Sequence, residues 1–246
     1  MTIVAHCIVP DWPAPSRVKA FITTRGGGVS TGRYASLNLG FATDDDPRAT
    51  EQNRRRLREV LPGEPRWLKQ VHGTHVVLAD TITEGVEADA GVACNPGTVC
   101  AILVADCFPV LLTDRGGTVV AAAHAGWRGL AGGVIARTIE VARQHTRDEL
   151  IAYIGPGIGR TAFQVGRDVY DAFTSQDAAT ADAFDPDGPG KWRADLPALA
   201  RRTLVACGVT HIYGDAPCTY SDSARFFSYR RDGETGRMAA VIWREA

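Results

Sequence analysis

At 246 residues, 45% hydrophobic and 22% charged, the chain has the composition of a globular protein with a substantial core, and its length fits one large domain or two small ones. A formal net charge of −1 excludes a global field that would draw in nucleic acid or an anionic membrane, so any bound anion must be met by local arginines. The longest apolar runs, Ala101–Ala105 and Val119–Ala123, are far too short to cross a bilayer.

Met1–Pro10 carries His6 and Cys7 but no basic stretch followed by an apolar one, so no secretion signal is read and a cytoplasmic location is expected. Val18–Thr24 reads as a strand ending in the flexible turn Arg25-Gly26-Gly27-Gly28. Asp46 is placed as an N-cap and Pro47 as the first residue of a helix running to about Leu61, where Leu61-Pro62-Gly63 stops it. Trp67–Val71 and Val76–Asp80 read as short strands flanking Gln70-Val71-His72-Gly73.

Three apolar strand-like runs follow: Cys100–Ala105, Val110–Thr113 and Thr118–Ala123. Asp114-Arg115-Gly116-Gly117 between the last two is a hairpin signal. A two-residue Arg115-Gly116 loop would pair Cys107 with His124, and other loop choices shift that by one or two positions. Each brings the thiol and the imidazole close. A helix is expected from about Leu130 to His145, a strand at Leu150–Ile154 and a rigid turn at Gly155–Gly159. Arg167–Phe173 and Leu196–Cys207 read as helices, with Thr174–Gly190, rich in Ala, Asp, Gly and Pro, as a mobile surface insertion between them. Thr210–Tyr213, Phe226–Tyr229 and Met238–Trp243 read as the final strands. Strands arrive as hairpins as often as they alternate with helices, which favours a mixed sheet or two sheets over a doubly wound fold.

The cysteines are Cys7, Cys94, Cys100, Cys107, Cys207 and Cys218; none forms a CxxC pair, and most are expected to be reduced and buried. His72, Cys107 and His124 would make a three-ligand zinc set with one open position, the usual form of a catalytic site. Without metal, Cys107 could be a nucleophile with His124 as its base. The plain alternative is a buried thiol beside a satisfied histidine. Both residues sit at strand ends, where sites on rigid scaffolds are commonly built. His75 is a competing ligand in principle, but its place at the start of an alternating strand favours surface or packing. Arg25, Arg128, Arg230 and Arg231 lie beside glycine turns or strand ends, where guanidinium groups can clamp phosphate or carboxylate. The Asn53–Arg58 run reads as a solvated helix face, and Gly26-Gly27-Gly28 fits neither the dinucleotide nor the P-loop pattern.

At these residues the sequence resembles the YfiH family, bacterial laccase-domain proteins also described as polyphenol oxidases and purine nucleoside phosphorylases. The matching segments are TTRGGGVS (Thr23–Ser30), SLNLG (Ser36–Gly40), QVHG (Gln70–Gly73), ADC (Ala105–Cys107) and HAGWRG (His124–Gly129). IGPGIG (Ile154–Gly159), CTY (Cys218–Tyr220), FFSYRRD (Phe226–Asp232) and TGRMA (Thr235–Ala239) continue the match along nearly the whole chain. One departure is Gln164, where the family commonly has glutamate, which argues against a catalytic role there.

The resemblance implies one α+β domain over residues 1–246, a four-layer α/β/β/α sandwich with mixed sheets that is cysteine-hydrolase-like. It implies one zinc ion (Zn2+) on His72, Cys107 and His124, with copper the lesser alternative; Arg25, Arg128 and Arg230 are the candidates for clamping a phosphate, and Asn38 is a further candidate substrate contact. The implied reaction is phosphorolysis of adenosine, guanosine, inosine and 5′-methylthioadenosine with inorganic phosphate, alongside adenosine deamination. The expected assembly is a monomer or small homo-oligomer, with no nucleic acid or membrane partner. Copper-dependent phenol oxidation and amide hydrolysis in peptidoglycan-precursor editing are the alternatives. Six histidines in the whole chain are too few for a four-copper laccase.

Overall fold

The computed structural model describes residues 3–246, so the first two residues of the Met1–Pro10 stretch lie outside the described residues. β1 (Val18–Ile22) is followed by α1 (Pro47–Arg58), where Asp46 accepts the N–H of Arg48 at 2.9 Å and Pro47 fills the first helical turn. Thr50, Asn53 and Leu57, spaced by three and four residues, form its buried face. β2 (Pro65–Arg66) and β3 (Val76–Leu78) are shorter than expected, and the chain between them is a loop rather than the end of a Trp67–Val71 strand. β4 (Ala90–Ala93) is a strand of small residues that the alternation pattern does not reveal.

β5 (Val99–Val104), β6 (Phe108–Asp114) and β7 (Val120–Ala125) form the centre. The β6–β7 register pairs Thr113 with Val120 and Pro109 with His124, two positions away from the simplest hairpin count. Asp114 is the reason. Its carboxylate accepts the N–H of Thr118 (2.6 Å), the hydroxyl of Thr118 (2.6 Å) and the N–H of Val119 (3.2 Å), which widens the turn.

The expected Leu130–His145 helix is two helices. α2 (Trp127–Gly132) starts earlier, and Gly133, at φ +96°, breaks it from α3 (Val134–Arg143). β8 (Leu150–Ile154) follows, then β9 (Gln164–Val165) and α4 (Arg167–Thr174). The segment read as a mobile insertion is instead ordered by packing. It holds a 3-10 turn at Ala178–Ala183 and β10 (Phe184–Pro186), which pairs with β11 (Trp192–Ala194). The buried Phe184 ring meets Tyr170 at 5.2 Å and Phe173 at 6.0 Å. α5 (Leu196–Ala206), β12 (His211–Tyr213), α6 (Tyr229–Asp232) and β13 (Met238–Arg244) complete the chain. Phe226–Tyr229 is not a strand: Phe226 and Phe227 are fully buried anchors, and Ser228 caps α6 by accepting the N–H of Arg231.

The fold is mixed α+β. One sheet runs β12-β8-β6-β7-β4-β3 and another β1-β13-β5-β2, each with parallel and antiparallel neighbours; a small sheet runs β10-β11-β9. Ile22, Ile102, Val104, Ala240 and Ile242 of the four-stranded sheet pack with Leu111, Val120 and Ala122 of the six-stranded one. Val110 and Leu112, alternating with Leu111, point the other way and meet Val134, Ile135 and Ile139 of α3 and Leu199 and Leu204 of α5. Leu57 of α1 packs with Val99, Ala101, Ala239 and Val241 on the remaining face. Strands apolar on both faces read in sequence as continuous runs, which is why the centre carries the strongest signal.

Candidate metal centre and its arginine-walled cleft

Three separate chain segments deliver the candidate ligands. His72 lies in the loop between β2 and β3 at φ +60°, Cys107 in the loop between β5 and β6, and His124 within β7. Their ligand atoms all lie within 4.8 Å of one another, and the two imidazole rings meet edge-on at 4.8 Å. Asp106, before Cys107, also adopts a left-handed backbone, at φ +85°. Thr219 donates its hydroxyl to one Asp106 oxygen (2.5 Å) and Arg230 donates its backbone N–H to the other (2.7 Å).

Asp89, fully buried before β4, was missed by sequence reasoning. One of its oxygens lies 2.8 Å from Nδ1 of His124 and also accepts the N–H of His72 at 2.9 Å; the other accepts from Val71 (3.2 Å) and Gly73 (2.6 Å). With Nδ1 of His124 engaged by a carboxylate, Nε2 is the nitrogen left for a metal, the usual second partner of a ligating imidazole. Two imidazoles and a thiolate suit zinc or copper by donor chemistry, and three ligands leave a coordination position for substrate or water.

The electrostatics favour a thiolate. Burial pushes the Cys107 thiol up, yet His124 and His72 beside it outweigh that and bring it down from 9.0 to about 6. Burial disfavours the His124 cation, but Cys107 and Asp89 together raise it to about 9. Asp89 lies below its ordinary carboxylate range, because the bonds it receives from His124 and the backbone overcome its burial. The triad opens into a cleft of about 610 Å³, walled by Trp127, Phe163, Tyr229 and the arginines Arg128, Arg230 and Arg237.

The sequence of this chain matches, over residues 19–245, the family model described as multi-copper polyphenol oxidoreductase laccase. It is 53% identical to the purine nucleoside phosphorylase PA4543 of Pseudomonas aeruginosa, across 96% of this chain and 97% of that protein. It is 48% identical to the purine nucleoside phosphorylase YfiH of Escherichia coli, across 98% and 99%. The crystal structure of Neisseria meningitidis NMB0706 superposes with a TM-score of 0.92 at 48% identity, covering 98% of this chain and all of that one. The chain belongs to the YfiH family.

Within that YfiH-family frame, the arginines expected at the substrate divide. Arg128 and Arg230 reach the cleft, with Arg128 stacked 4.4 Å over Trp127 and Arg230 5.0 Å over Phe163 while donating to the carbonyl of Gln164. Arg25 does not line the cleft. Its guanidinium donates to the carbonyls of Ala35 (2.8 Å) and Ser223 (3.0 Å) and covers the Phe227 ring at 4.8 Å, so it fastens two loops. Asn38 is likewise absent from the cleft wall and fully buried: its amide donates to Thr43 and Asp45, and its carbonyl accepts the N–H of Gly40 and of Arg237. The arginine that sequence reasoning passed over is Arg237, inside the TGRMA segment that carries part of the resemblance. His75 makes a 2.7 Å contact with the carbonyl of Glu87 and stands outside the ligand cluster, and Gln164 is exposed and bonded to Asp187. Arg231 is tied to the carbonyls of Thr219, Tyr220 and Phe226.

Proposed function

We propose that the chain is a zinc-dependent purine nucleoside phosphorylase acting on adenosine, guanosine, inosine and 5′-methylthioadenosine, built as one catalytic domain over residues 1–246. The observation that carries this reading is the His72–Cys107–His124 cluster at the base of an aromatic cleft walled by Arg128, Arg230 and Arg237. Relatives at 53% and 48% identity bear the purine nucleoside phosphorylase name, which supports the same choice. The helices packed outside both large sheets support a four-layer arrangement, which we take to be cysteine-hydrolase-like. No described helix is long and apolar enough to cross a membrane; a cytoplasmic monomer or small homo-oligomer remains our expectation.

In phosphorolysis a phosphate oxygen bonds to C1′ of the ribose as the C1′–N9 bond breaks. Ribose 1-phosphate and the purine leave, the base taking up a proton. Trp127, Phe163 and Tyr229 offer flat apolar surface to the purine, and the arginines meet the phosphate charge. His72, Cys107 and His124 would hold the zinc, which when bound supplies a Lewis acid and an activated water suited to adenosine deamination. Asp89 keeps both histidines oriented, and Asp106 ties the Cys107 loop to Arg230.

Two other readings are separable. A lowered Cys107 thiol beside His124 favours a cysteine amide hydrolase if the metal is absent. The laccase description asks for several coppers, whereas among the described residues only His72 and His124, with Cys107, form a metal-sized cluster. The test is to measure bound metal, then incubate the protein with adenosine and phosphate beside Cys107→Ala. Ribose 1-phosphate and adenine, lost in the variant, support phosphorolysis. Base release that persists in Cys107→Ala, or that needs no phosphate, sinks it.

A further inference from the structure

Arg237 differs from the other cleft arginines in how it is held. It directly precedes β13, whose Met238 pairs with Val104 of β5, so it stands at the sheet end where the chain leaves β5 for Asp106 and Cys107. Its backbone is clamped on both sides: the N–H donates to the Asn38 side chain at 2.9 Å, and the carbonyl accepts the N–H of Leu39 at 3.0 Å. Asn38 is itself fixed by Thr43 and Asp45, so a buried polar network ends on this arginine. Gly40 leaves room for the arm; a Cβ there would sit 2.7 Å from Cγ of Arg237.

The guanidinium is only partly neutralised. One nitrogen, Nη1, donates to the carbonyls of Thr235 (2.6 Å) and Gly236 (3.1 Å), and no carboxylate among the described residues forms an ion pair with it. Burial holds its pKa below the ordinary arginine value, against the charges of Cys107, Tyr229, Asp106 and Glu234. Both oxygens of Asp106 are already committed to Thr219 and to the backbone of Arg230. Arg128 and Arg230, by contrast, are exposed and rest on aromatic rings. A half-buried cation with a fixed backbone, free donors and no acidic partner is built to receive an anion.

We propose that Arg237 is the anchor for the inorganic phosphate cosubstrate, an inference that rests on the phosphorolysis reading above. Arg128 and Arg230 then form the solvent-side wall of the same subsite. Asn38 and Gly40 act through Arg237 as positioning residues.

The test uses zinc-loaded protein and inorganic phosphate in two independent measurements, calorimetric binding and the phosphate KM with adenosine saturating. Arg237→Gln is expected to weaken phosphate binding and raise the phosphate KM by roughly tenfold or more, with adenosine KM and zinc content unchanged. Gly40→Ala, which keeps the charge but displaces the arm, should move both in the same direction. Arg48→Gln, a charge loss on exposed α1, should move neither. A wild-type protein that binds phosphate but phosphorolyses nothing would end the functional reading while leaving the anion site to be judged by calorimetry. Phosphate binding within twofold of wild type in Arg237→Gln, or none in wild type, overturns the proposal.

Discussion

The carboxylate of Asp89 bonds Nδ1 of His124 at 2.8 Å through the same oxygen that accepts the backbone N–H of His72 at 2.9 Å. Two candidate ligands from distant parts of the chain are thereby set by one buried side chain. Asp89→Asn keeps the volume but removes the charge and one acceptor. The dissociation constant for zinc is expected to rise about 10–100-fold, the usual cost of losing the partner of a ligating histidine, with the far-ultraviolet spectrum preserved. Competition against a chromophoric chelator measures it, and an unchanged constant would show that the backbone loop alone orients His72 and His124.

Gly126 gives a sharper steric test. It follows β7 at φ −73°, a conformation alanine adopts freely, yet a Cβ there would lie 2.7 Å from Sγ of Cys107 and 3.1 Å from Cδ2 of His72. Gly126→Ala should therefore push two ligands apart with little change in melting temperature. The expected result is at least about tenfold weaker zinc binding. Retention of full zinc affinity would mean that the Cys107 loop yields more than its contacts suggest.

How much of this was legible in sequence follows from which contacts are local. Cys107 and His124 flank one hairpin, so their proximity could be counted to within the one or two positions that the loop choice left open; the observed register is two positions from the simplest count, with the Asp114 carboxylate bonded across the turn. His72 arrives from a loop without periodicity, and its place in the three-ligand set rests mainly on the resemblance. Asp89 was hidden because β4 is built of Ala90, Gly91, Val92 and Ala93, too small to mark a strand. Arg25 was read as a substrate contact because it stands beside a glycine-rich turn, and Asn38 because it lies in the family segment SLNLG. Their partners, from Ser223 to Arg237, are remote in sequence, so their structural duty showed only in the fold.

The thiol of Cys107 in the metal-free protein should titrate low. Only the thiolate is alkylated, so a pKa lowered from 9.0 to about 6 keeps the iodoacetamide rate high through neutrality and lets it fall as pH drops below about 6. His124→Gln removes the leading favourable partner, so its rate should already decline well above pH 6. Saturating zinc should protect the thiol. Mass spectrometry of alkylated peptides distinguishes Cys107 from the other five cysteines, and a wild-type midpoint near 9 would contradict the thiolate assignment.

Stability around the Asn38 network depends on Asn53 of α1, which is fully buried. Its amide nitrogen donates to Ser30, to the carbonyl of Ser36 and to the carbonyl of Asn38, while its oxygen accepts the N–H of Val29. Asn53→Ala would strand several buried polar groups at once, a heavier loss than removing one net hydrogen bond. A destabilisation of about 2–4 kcal/mol is expected in urea unfolding, with the midpoint lowered and the slope unchanged. Because the same network ends on Arg237, the phosphate KM of any folded Asn53→Ala protein should rise while its zinc affinity stays at the wild-type value. A loss of zinc with phosphate affinity retained would reverse that order and place the network's influence on the metal loop instead.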